Sequence, residues 1–367
     1  MKVLHLVWNL IRGGTEGQCA RVAMELARRG DTHRVAVFRR EGFFLEVVER
    51  QCGPVLDVGI TSMASWNTLM AIRRMAAWVR RERIDVVHAW DADAAIFGQF
   101  IAAWGGAPLI TSRRDLGQIY PPHKQWLMRR ADRKAAAIVA NAQAIVEEFA
   151  RQGTAREKFT VIGNILDLEE TVRLREKEFS RVADLPPGER IVMVARLDPE
   201  KDVPTFILAA ERVAREVPSA SFVVAGDGVE KERLMALAIE RGLAKRMVFL
   251  GDVREVPAML RHAAIGVLTP SRNEGLSNTI LEYMAAGLPV VATECGGNRE
   301  LVQPPRGGMI VPAGDHDQLA RHLIALLWHP EQGRAMGEHN HQRIAAEFQP
   351  GMIGDRFAGL YQQVMAG

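Results

Sequence analysis

The sequence predicts an α/β protein with two parallel β-sheets arranged in tandem, and three observations support this. The chain has 367 residues, whereas a single hydrophobic core stops growing at about 250 residues. Short apolar, β-branched runs alternate with helix-length amphipathic segments, which is typical of βαβ units. This alternation stops once, in a charged stretch at residues 169–181, and then resumes. We therefore expect two Rossmann-like domains joined by a linker.

The predicted strands follow one another at regular intervals along the chain. In the first half they are residues 3–7, 34–38, 55–58, 85–88, 109–111, 138–140 and 159–162. In the second half they are residues 191–194, 222–225, 248–250, 265–268, 290–292 and 309–311. The final segment carries an apolar stripe of Ile353, Phe357, Leu360 and Val364, whose spacing predicts a helix that docks on another surface. These features predict domains at 1–170 and 171–349, followed by a helix at 350–367.

The composition is that of an ordinary globular protein, with 48% hydrophobic and 25% charged residues. No apolar run approaches the roughly 18 residues that span a bilayer. The first ten residues read as a strand rather than as a signal peptide. The three cysteines, Cys19, Cys52 and Cys295, are scattered and indicate neither a disulfide framework nor a zinc site. These observations favour a cytoplasmic location.

Positive charge is concentrated in the first half of the chain. Residues 1–170 contain 24 Lys and Arg against 19 Asp and Glu. Much of this charge lies in two candidate helices, at residues 68–83 and 123–134, where basic residues alternate with Trp, Met, Leu or Ile. Such helices are either solvated faces or surfaces that contact an anionic membrane, at about 1 kcal/mol per basic residue. No basic, aromatic strand platform is present, so nucleic-acid binding is not indicated.

The strongest local motif is EGLSNTILE at residues 274–282, which follows the predicted strand at 265–268 and its turn. Gly275 allows close approach of the backbone, and Ser277 or Asn278 can begin a helix. Several N–H groups would then point at one spot, and the helix dipole favours an anion there. The motif therefore predicts a cradle for a diphosphate.

Two carboxylates, Glu274 and Glu282, flank this cradle and are suited to bind sugar and ribose hydroxyls. Together with YMAAGLPVVAT at residues 283–293, this Glu-x7-Glu pattern resembles the signature of the retaining GT-B glycosyltransferases of family 4. Further similar segments occur in the family's order at residues 13–16, 86–88, 140–142, 194–202, 224–228 and 251–260. The resemblance implies two Rossmann-like domains that face each other across a cleft, with the last helix crossing back to the first domain.

The resemblance also implies a role for each matched residue. Arg196 and Lys201 would bind the donor diphosphate, because two cations offset its charge and stabilise the departing nucleotide; surface ion pairs with Asp198 or Glu200 are the alternative. Glu274 would contact the transferred sugar and Glu282 the ribose. The rest of the expected donor site consists of Gly13, Gly14, Val253, Gly275, Leu276, Ser277 and Asn278.

Several patterns in the first half leave alternatives open. The segment that contains Gly13 and Gly14 lacks GxGxxG spacing, so it indicates either a phosphate-approaching loop or a simple tight turn. His88 ends a predicted strand and is a candidate catalytic residue, although the family's His-x-His pattern has Trp90 at its second position here. Residues 91–93 imitate an Asp-x-Asp metal motif but are interpreted as surface carboxylates. Residues 113–115, Arg-Arg-Asp, would either bind an acidic acceptor or form an internal salt bridge.

The resemblance as a whole implies an enzyme that transfers a hexosyl unit from a nucleotide-diphosphate sugar to a hydroxyl of a glycan or a lipid-linked acceptor. We expect a UDP-sugar rather than a GDP-sugar, retention of anomeric configuration, and neither a metal nor any cofactor beyond the donor. Envelope polysaccharide or glycolipid synthesis, with peripheral contact to the inner face of the cell membrane, is the expected setting. A nucleotide-sugar epimerase and a non-catalytic sugar-nucleotide or glycan-binding protein are the alternatives.

Overall fold

The computed structural model describes residues 1–60 and 66–366, and these fold into two compact units. The first unit consists of Met1–Ile165 together with Pro350–Gly367, and the second consists of Leu166–Gln349. Each unit is built on one parallel sheet that is covered by helices. None of the described helices is both long enough and apolar enough to cross a lipid bilayer.

The described part of the first unit contains a seven-stranded sheet. Its strands are β1 (Lys2–Val7), β2 (Thr32–Val37), β3 (Leu56–Asp57), β4 (Val86–Ala89), β5 (Leu109–Arg113), β6 (Ala137–Ala140) and β7 (Phe159–Val161). They pair in parallel in the order β3-β2-β1-β4-β5-β6-β7. The connecting helices are α1 (Gly14–Arg28), α2 (Leu45–Cys52), α3 (Trp66–Glu82), α4 (Ala92–Gly105), α5 (Pro122–Lys134) and α6 (Gln143–Arg151).

The described part of the second unit contains a six-stranded sheet. Its strands are β8 (Glu189–Val194), β9 (Ala220–Ala225), β10 (Met247–Gly251), β11 (Ile265–Leu268), β12 (Val290–Thr293) and β13 (Gly308–Val311), in the order β10-β9-β8-β11-β12-β13. Its helices are α7 (Leu168–Arg175), α8 (Val203–Glu216), α9 (Lys231–Glu240), α10 (Val256–Leu260), α11 (Asn278–Ala285), α12 (Asn298–Val302), α13 (His316–Trp328) and α14 (Pro330–Glu347). The two predicted parallel sheets are thus confirmed, and each predicted strand is present.

The charged stretch that we interpreted as a linker is partly helical. Helix α7 covers its first residues, and the Asp167 side chain caps this helix by accepting a hydrogen bond from the Glu170 backbone N–H at 2.9 Å. Acidic residues occupy the first turn and arginines the last turn, so both ends complement the helix dipole. The high charge of this segment therefore reflects a well-capped surface helix.

The final helix, α15 (Pro350–Ala366), packs on α1 within the first unit. Three residues of the predicted stripe, Ile353, Phe357 and Leu360, are buried in the cluster that includes α1 and β1, and Val364 packs at its edge. Tyr361, which lies next to the stripe, is also fully buried. The predicted docking of the last helix is confirmed.

Strand order indicates where each sheet presents a binding site. β1 lies between β2 and β4, and β8 lies between β9 and β11, so the chain reverses its direction of winding at these two strands. In open parallel sheets, ligands bind outside the carboxyl ends of the strands at such a switch point. The loops that follow β1 and β4 in the first unit, and β8 and β11 in the second, are therefore the places to examine.

Candidate active site

The loop after β8 holds Arg196 in an exposed position. Its guanidinium donates to a carboxylate oxygen of Asp198 at 2.8 Å and of Glu200 at 3.1 Å, while 70% of its side chain remains accessible to solvent. Ion pairs this exposed contribute about 0 to 1 kcal/mol. The two surface ion pairs considered from the sequence thus form, but they hold Arg196 weakly enough for an anionic ligand to replace them.

Lys201 has a different environment, at the end of a short 3-10 helix in the same loop. Its ammonium group contacts a Glu274 carboxylate oxygen at 2.6 Å, and the two side chains are only 19% and 12% exposed. Glu274 comes from the loop between β11 and α11. This ion pair therefore joins the loops at the carboxyl ends of two neighbouring strands.

Further hydrogen bonds fix these two loops against each other. The Thr269 hydroxyl contacts the carbonyl oxygens of Lys201 and Asp202 at 3.1 and 3.0 Å, and the Ser271 N–H donates to the Glu200 carbonyl at 2.9 Å. The two loops thus form one braced surface, in which Lys201 and Glu274 are placed by backbone contacts as well as by their own charges.

Helix α11 begins at the motif, as its sequence predicts. Ser277 is the capping residue, and its side chain accepts a hydrogen bond from the Ile280 N–H at 3.3 Å. Glu282 lies within α11 and is half-buried. The next residue, Tyr283, accepts from the Val194 N–H at 2.7 Å and donates to the Val267 carbonyl at 3.1 Å, so it ties α11 to β8 and β11. The positive end of the α11 dipole therefore has a fixed position at this edge.

Two glycines allow the site loops to approach neighbouring backbone. Gly296 has φ +52°, and a Cβ there would lie 2.0 Å from the Glu274 carbonyl oxygen. Gly226 has φ +139°, and a Cβ there would lie 1.8 Å from the Ala195 carbonyl oxygen. The Gly297 N–H also donates to the Gly275 carbonyl at 2.9 Å. Only glycine fits at these contacts, because a side chain would displace the loops that carry Glu274 and Arg196.

Val253 follows β10 and is buried. Nearby, the Gly226 N–H donates to the Gly251 carbonyl at 2.7 Å, which closes the carboxyl ends of β9 and β10 together. The second unit therefore brings Arg196, Lys201 and Glu274 into one braced set of loops beside the first turn of α11, with Val253 two strands away along the sheet.

In the first unit, Gly13 and Gly14 form the turn into α1. Gly13 is the residue before the helix, Gly14 is its first residue, and the Gly13 N–H donates to the Ile11 carbonyl at 2.8 Å. A Cβ on Gly13 would lie 2.1 Å from a Glu16 carboxylate oxygen. This geometry is that of a tight turn, and a role in contacting phosphate stays a prediction.

His88 is the third residue of β4 and is fully buried. Its Nδ1 lies 2.8 Å from the Tyr361 hydroxyl of α15, and its Nε2 lies 2.8 Å from the Ser112 hydroxyl of β5. Burial lowers the pKa of His88 to about 3, with a smaller effect from Arg114, so the ring is neutral. In this arrangement both ring nitrogens are occupied by protein partners.

His88 belongs to a larger buried network. His5 Nε2 lies 2.8 Å from His33 Nδ1, and the Trp90 indole N–H donates to His5 Nδ1 at 3.0 Å. The rings of His88 and Trp90 stack with centroids 4.5 Å apart. Burial lowers the pKa of His5 well below its usual value and that of His33 to about 4. The network therefore joins β1, β2, β4 and α15 as neutral, hydrogen-bonded rings.

The interpretation of residues 91–93 as surface carboxylates needs correction. Asp91 caps α4 and accepts from the backbone N–H groups of Ala94 at 2.8 Å and Trp8 at 2.6 Å. Burial is the main cause that raises its pKa to about 6. Asp93 instead pairs with Lys124 at 2.9 Å. No group of three or more potential ligand side chains in residues 1–60 and 66–366 is placed to hold a metal ion.

The structure also separates the side chains of residues 113–115. Arg113 forms a buried ion pair with Asp132 at 2.5 Å. Asp115 accepts from the Gly117 N–H at 2.7 Å and from the Tyr120 hydroxyl at 3.0 Å. The internal salt bridge considered from the sequence is thus formed by Arg113, but with a helix residue rather than with Asp115.

The partners of His88 carry no sequence motif that predicts their contact with it. Tyr361 directly follows Leu360 but is not part of the predicted apolar stripe, and Ser112, His5 and His33 lie in or next to predicted strands without a motif of their own. The available signal was the placement of histidines in neighbouring parallel strands, since His5 aligns directly with His88.

Two family profiles together match most of the chain. The profile described as "Glycosyltransferase Family 4" matches residues 12–170, and the profile described as "Glycosyl transferases group 1" matches residues 188–329. The first match lies largely in the first unit, and the second match lies in the second unit.

Similar proteins of known assignment include three bacterial glycosyltransferases. The alpha-D-kanosaminyltransferase of Streptomyces kanamyceticus is 28% identical over 93% of this chain and 97% of its own length. The 2-deoxystreptamine N-acetyl-D-glucosaminyltransferase of Streptomyces fradiae is 30% identical over 84% of this chain and 81% of its own length. The lipopolysaccharide core biosynthesis glycosyltransferase LpsE of Rhizobium meliloti is 28% identical over 98% of both chains.

Among solved structures, Anabaena Alr3699/HepE in complex with UDP-glucose is similar with a TM-score of 0.85. It is 20% identical, and the match covers 99% of this chain and 100% of that chain. This likeness shows the GT-B fold. On the family profiles, the relatives and the fold together, the chain belongs to the group 1, or family 4, glycosyltransferases, enzymes that transfer a sugar from a nucleotide-sugar donor.

Proposed function

We propose that the enzyme transfers a hexosyl unit from a UDP-sugar to a hydroxyl of a glycan or a lipid-linked acceptor, with retention of anomeric configuration. The observation that carries the proposal is the Lys201–Glu274 ion pair, which lies in the same braced loops as Arg196 beside the start of α11. These loops and the start of α11 together place two cations, a helix N-terminus and a carboxylate at the switch point of one sheet. Such a set of groups is suited to bind a diphosphate joined to a sugar.

Donor binding would exchange the partners of these charges. Phosphate oxygens would replace Asp198 and Glu200 on Arg196 and would replace Glu274 on Lys201. Glu274, once released, would accept hydrogen bonds from hydroxyls of the transferred sugar, and Glu282 would accept from those of the ribose. Charge-assisted hydrogen bonds of this kind contribute about 1.5 to 3 kcal/mol each.

Backbone groups would complete the donor site. Gly275, Leu276, Ser277 and Asn278 lie at the first turn of α11, where the helix dipole favours the diphosphate. The backbone near Val253 would contact the base.

The proposed reaction needs no protein general base. The bond between the anomeric carbon and the UDP β-phosphate oxygen breaks while the acceptor oxygen bonds to that carbon on the same face. The acceptor proton passes to the β-phosphate, so the products are the glycoside and UDP. Arg196 and Lys201 stabilise the charge that builds on the leaving diphosphate, an effect that commonly contributes several kcal/mol. This path is compatible with a His88 whose ring nitrogens are both hydrogen-bonded to protein groups.

The choice of donor and acceptor is supported by relatives and by surface chemistry. HepE binds UDP-glucose, and LpsE acts in lipopolysaccharide core biosynthesis. The name of the Streptomyces fradiae relative gives 2-deoxystreptamine as its acceptor, so the class of acceptor differs among these relatives. On α3, the side chains of Trp66, Arg73, Arg80 and Arg81 are exposed, which suits peripheral contact with an anionic membrane. Sedimentation with anionic and neutral liposomes at low salt would test that contact.

The first experiment is thermal denaturation with UDP, GDP, ADP, their sugar conjugates and NAD. A ligand at 100 times its dissociation constant adds about 2.7 kcal/mol of stability, which moves the melting temperature by a few degrees. We expect a shift with UDP compounds that is lost in Arg196→Ala. A shift with GDP compounds alone would replace UDP by GDP, and no nucleotide-dependent shift would contradict the donor site.

Product analysis by NMR then separates the proposed reaction from its alternatives. Incubation with UDP-sugar and no acceptor should give slow hydrolysis, with the α-anomer released first from an α-linked donor. Accumulation of an epimerised sugar nucleotide would indicate an epimerase instead. Binding of UDP-sugar without hydrolysis or transfer to any acceptor would indicate a non-catalytic binding protein.

A further inference from the structure

Arg114 is a partly buried cation whose guanidinium pairs with no carboxylate among residues 1–60 and 66–366. It lies directly after β5 in the first unit. It donates to the Asn164 side-chain oxygen, and its guanidinium carbon lies 5.4 Å from the centroid of the Trp90 ring. No Asp or Glu of the described residues lies within ion-pair distance of it.

The preceding residue, Arg113, is an arginine of the same sheet whose charge and N–H donors do have protein partners. Arg113 binds both carboxylate oxygens of Asp132, at 2.5 and 3.1 Å, and also donates to the Ser112 carbonyl at 2.9 Å. A guanidinium offers five N–H donors, and buried charges are as a rule paired. Within the part of the chain that the structure describes, the side chain of Arg114 donates to one neutral oxygen, so its other donors can bind a ligand.

The electrostatics of Arg114 are those of a cation whose desolvation is incompletely compensated. Burial lowers the pKa of Arg114 to about 10, which means that desolvation of this cation is only partly compensated. The charges of Cys19 and Glu16 act on its pKa in the opposite direction but offset only part of the effect of burial. Asp91 is engaged by two backbone N–H groups, so its oxygens are already occupied.

The surroundings of Arg114 are rigid. Trp90 supports the guanidinium plane, and Trp90 is itself fixed by its hydrogen bond to His5 and by stacking on His88. Asn164 Oδ1 also accepts from the Asn141 amide at 3.2 Å. A planar fork held this way fits an oxyanion that accepts two parallel hydrogen bonds. Its position after β5, beside β4 at the switch point, is where this sheet should bind a ligand.

We propose that Arg114 binds an anionic group of the acceptor, either a carboxylate or a phosphate. This inference rests on the proposed function, because the first unit is where the acceptor would bind. It makes Arg114 a specificity-determining residue: an acceptor that carries an oxyanion near the reacting hydroxyl is favoured over a neutral sugar, and a cationic amino sugar is disfavoured.

The test uses three simple probes in the full chain with saturating UDP. Methyl glucuronide supplies a carboxylate, glucose 1-phosphate supplies a phosphate, and methyl glucoside is the neutral counterpart. Dissociation constants come from ligand-detected NMR titrations, which reach the millimolar range. The variants are Arg114→Gln, Arg114→Lys and, as a control for lost surface charge, Arg151→Gln, whose side chain is exposed on α6.

We expect Arg114→Gln to weaken at least one anionic probe about tenfold or more and to leave methyl glucoside unchanged. Arg114→Lys should weaken it less, and Arg151→Gln should stay within twofold of the wild type. Loss with the phosphate alone or the carboxylate alone identifies the acceptor group. Anion binding that is equal in wild type and Arg114→Gln, or absent in both, overturns the inference.

Two further measurements keep this result separate from the donor site. Unchanged circular dichroism and UDP affinity in Arg114→Gln would show that the variant is folded with an intact donor site. If the wild type binds no nucleoside diphosphate, the proposed function fails. The same titrations without UDP, repeated in an Arg196→Ala background, then still decide whether Arg114 binds anions.

Discussion

The Lys201–Glu274 ion pair is expected to stabilise the unloaded enzyme, and this can be measured with a double-mutant cycle. The pair is 2.6 Å long, and its side chains are 19% and 12% exposed. Removing one partner of a fully buried pair costs about 3 to 5 kcal/mol, because a charge is left alone. Since water reaches this pair slightly, we expect about 3 kcal/mol for Lys201→Met and about the same for Glu274→Gln.

The double variant should lose little more than either single variant, because no unpaired charge remains in it. The coupling energy should therefore be about 2 to 3 kcal/mol. The assay is urea unfolding at neutral pH without nucleotide, followed by circular dichroism. The matched control is the Arg212–Glu216 pair on α8, whose two side chains are each 39% exposed and whose coupling should stay below about 0.5 kcal/mol.

Additive losses at Lys201 and Glu274, to within about 0.5 kcal/mol, would refute this reasoning. They would mean that the pair is solvated in solution and that donor binding does not have to exchange its partners. Addition of UDP provides a second readout, since a ligand that occupies Lys201 should stabilise the wild type but not Lys201→Met.

Three other predictions concern stability. Burial lowers the pKa of His33 from 6.5 to about 4, so the contribution of its neutral ring to the free energy of unfolding is complete above about pH 6.5 and falls by about 3 kcal/mol as the pH drops to 4. The unfolding free energies of the wild type and His33→Gln, measured in urea, should converge or cross over this range. Parallel pH profiles would contradict the prediction. Gly296→Ala should lower the free energy of unfolding by about 2 kcal/mol or more and weaken UDP binding, because the new Cβ would overlap the Glu274 carbonyl. The control is Gly314→Ala, at a position with φ +79° and no atom within 4 Å of the new Cβ, which should lower it by about 1 kcal/mol. Equal losses in unfolding free energy would count against this. Tyr361→Phe leaves a buried His88 nitrogen without its hydrogen bond and should lower the free energy of unfolding by about 1 to 3 kcal/mol. Unfolding followed by tryptophan fluorescence measures this, and an unchanged midpoint would be the contrary result.

Most of the fold could be predicted from local pattern. The strands of the βαβ units appear in the sequence as short apolar, β-branched runs, because a strand covered by helices on both faces is apolar throughout. The helix in the 169–181 segment was not predicted, for the converse reason. High charge without an apolar stripe resembles a linker, yet α7 is formed by its Asp167 cap and by charges that complement its dipole.

The partners within the candidate site could not be predicted. Lys201 has Asp198 and Glu200 close in sequence, but both of these contact Arg196, and Lys201 pairs with Glu274, 73 residues away. Adjacency of β8 and β11 in the sheet brings the two loops together, and strand adjacency in a parallel sheet is not encoded in spacing along the chain. The same argument applies to Arg114, because only the structure shows that Asp132 binds Arg113 and that no carboxylate of the described residues pairs with Arg114.

By itself the sequence determined the order and kind of the elements, the family, and the residue types that meet a nucleotide sugar, because periodicity, turn chemistry and motifs are local properties. Only the tertiary structure decided what each polar side chain contacts. His88 shows the difference. Its position near a strand end suggested chemistry, but the last helix brings Tyr361 to it from 273 residues away. Burial and hydrogen bonding depend on which distant elements pack together, and those contacts place His88 in a neutral, buried network, while its catalytic role stays a prediction.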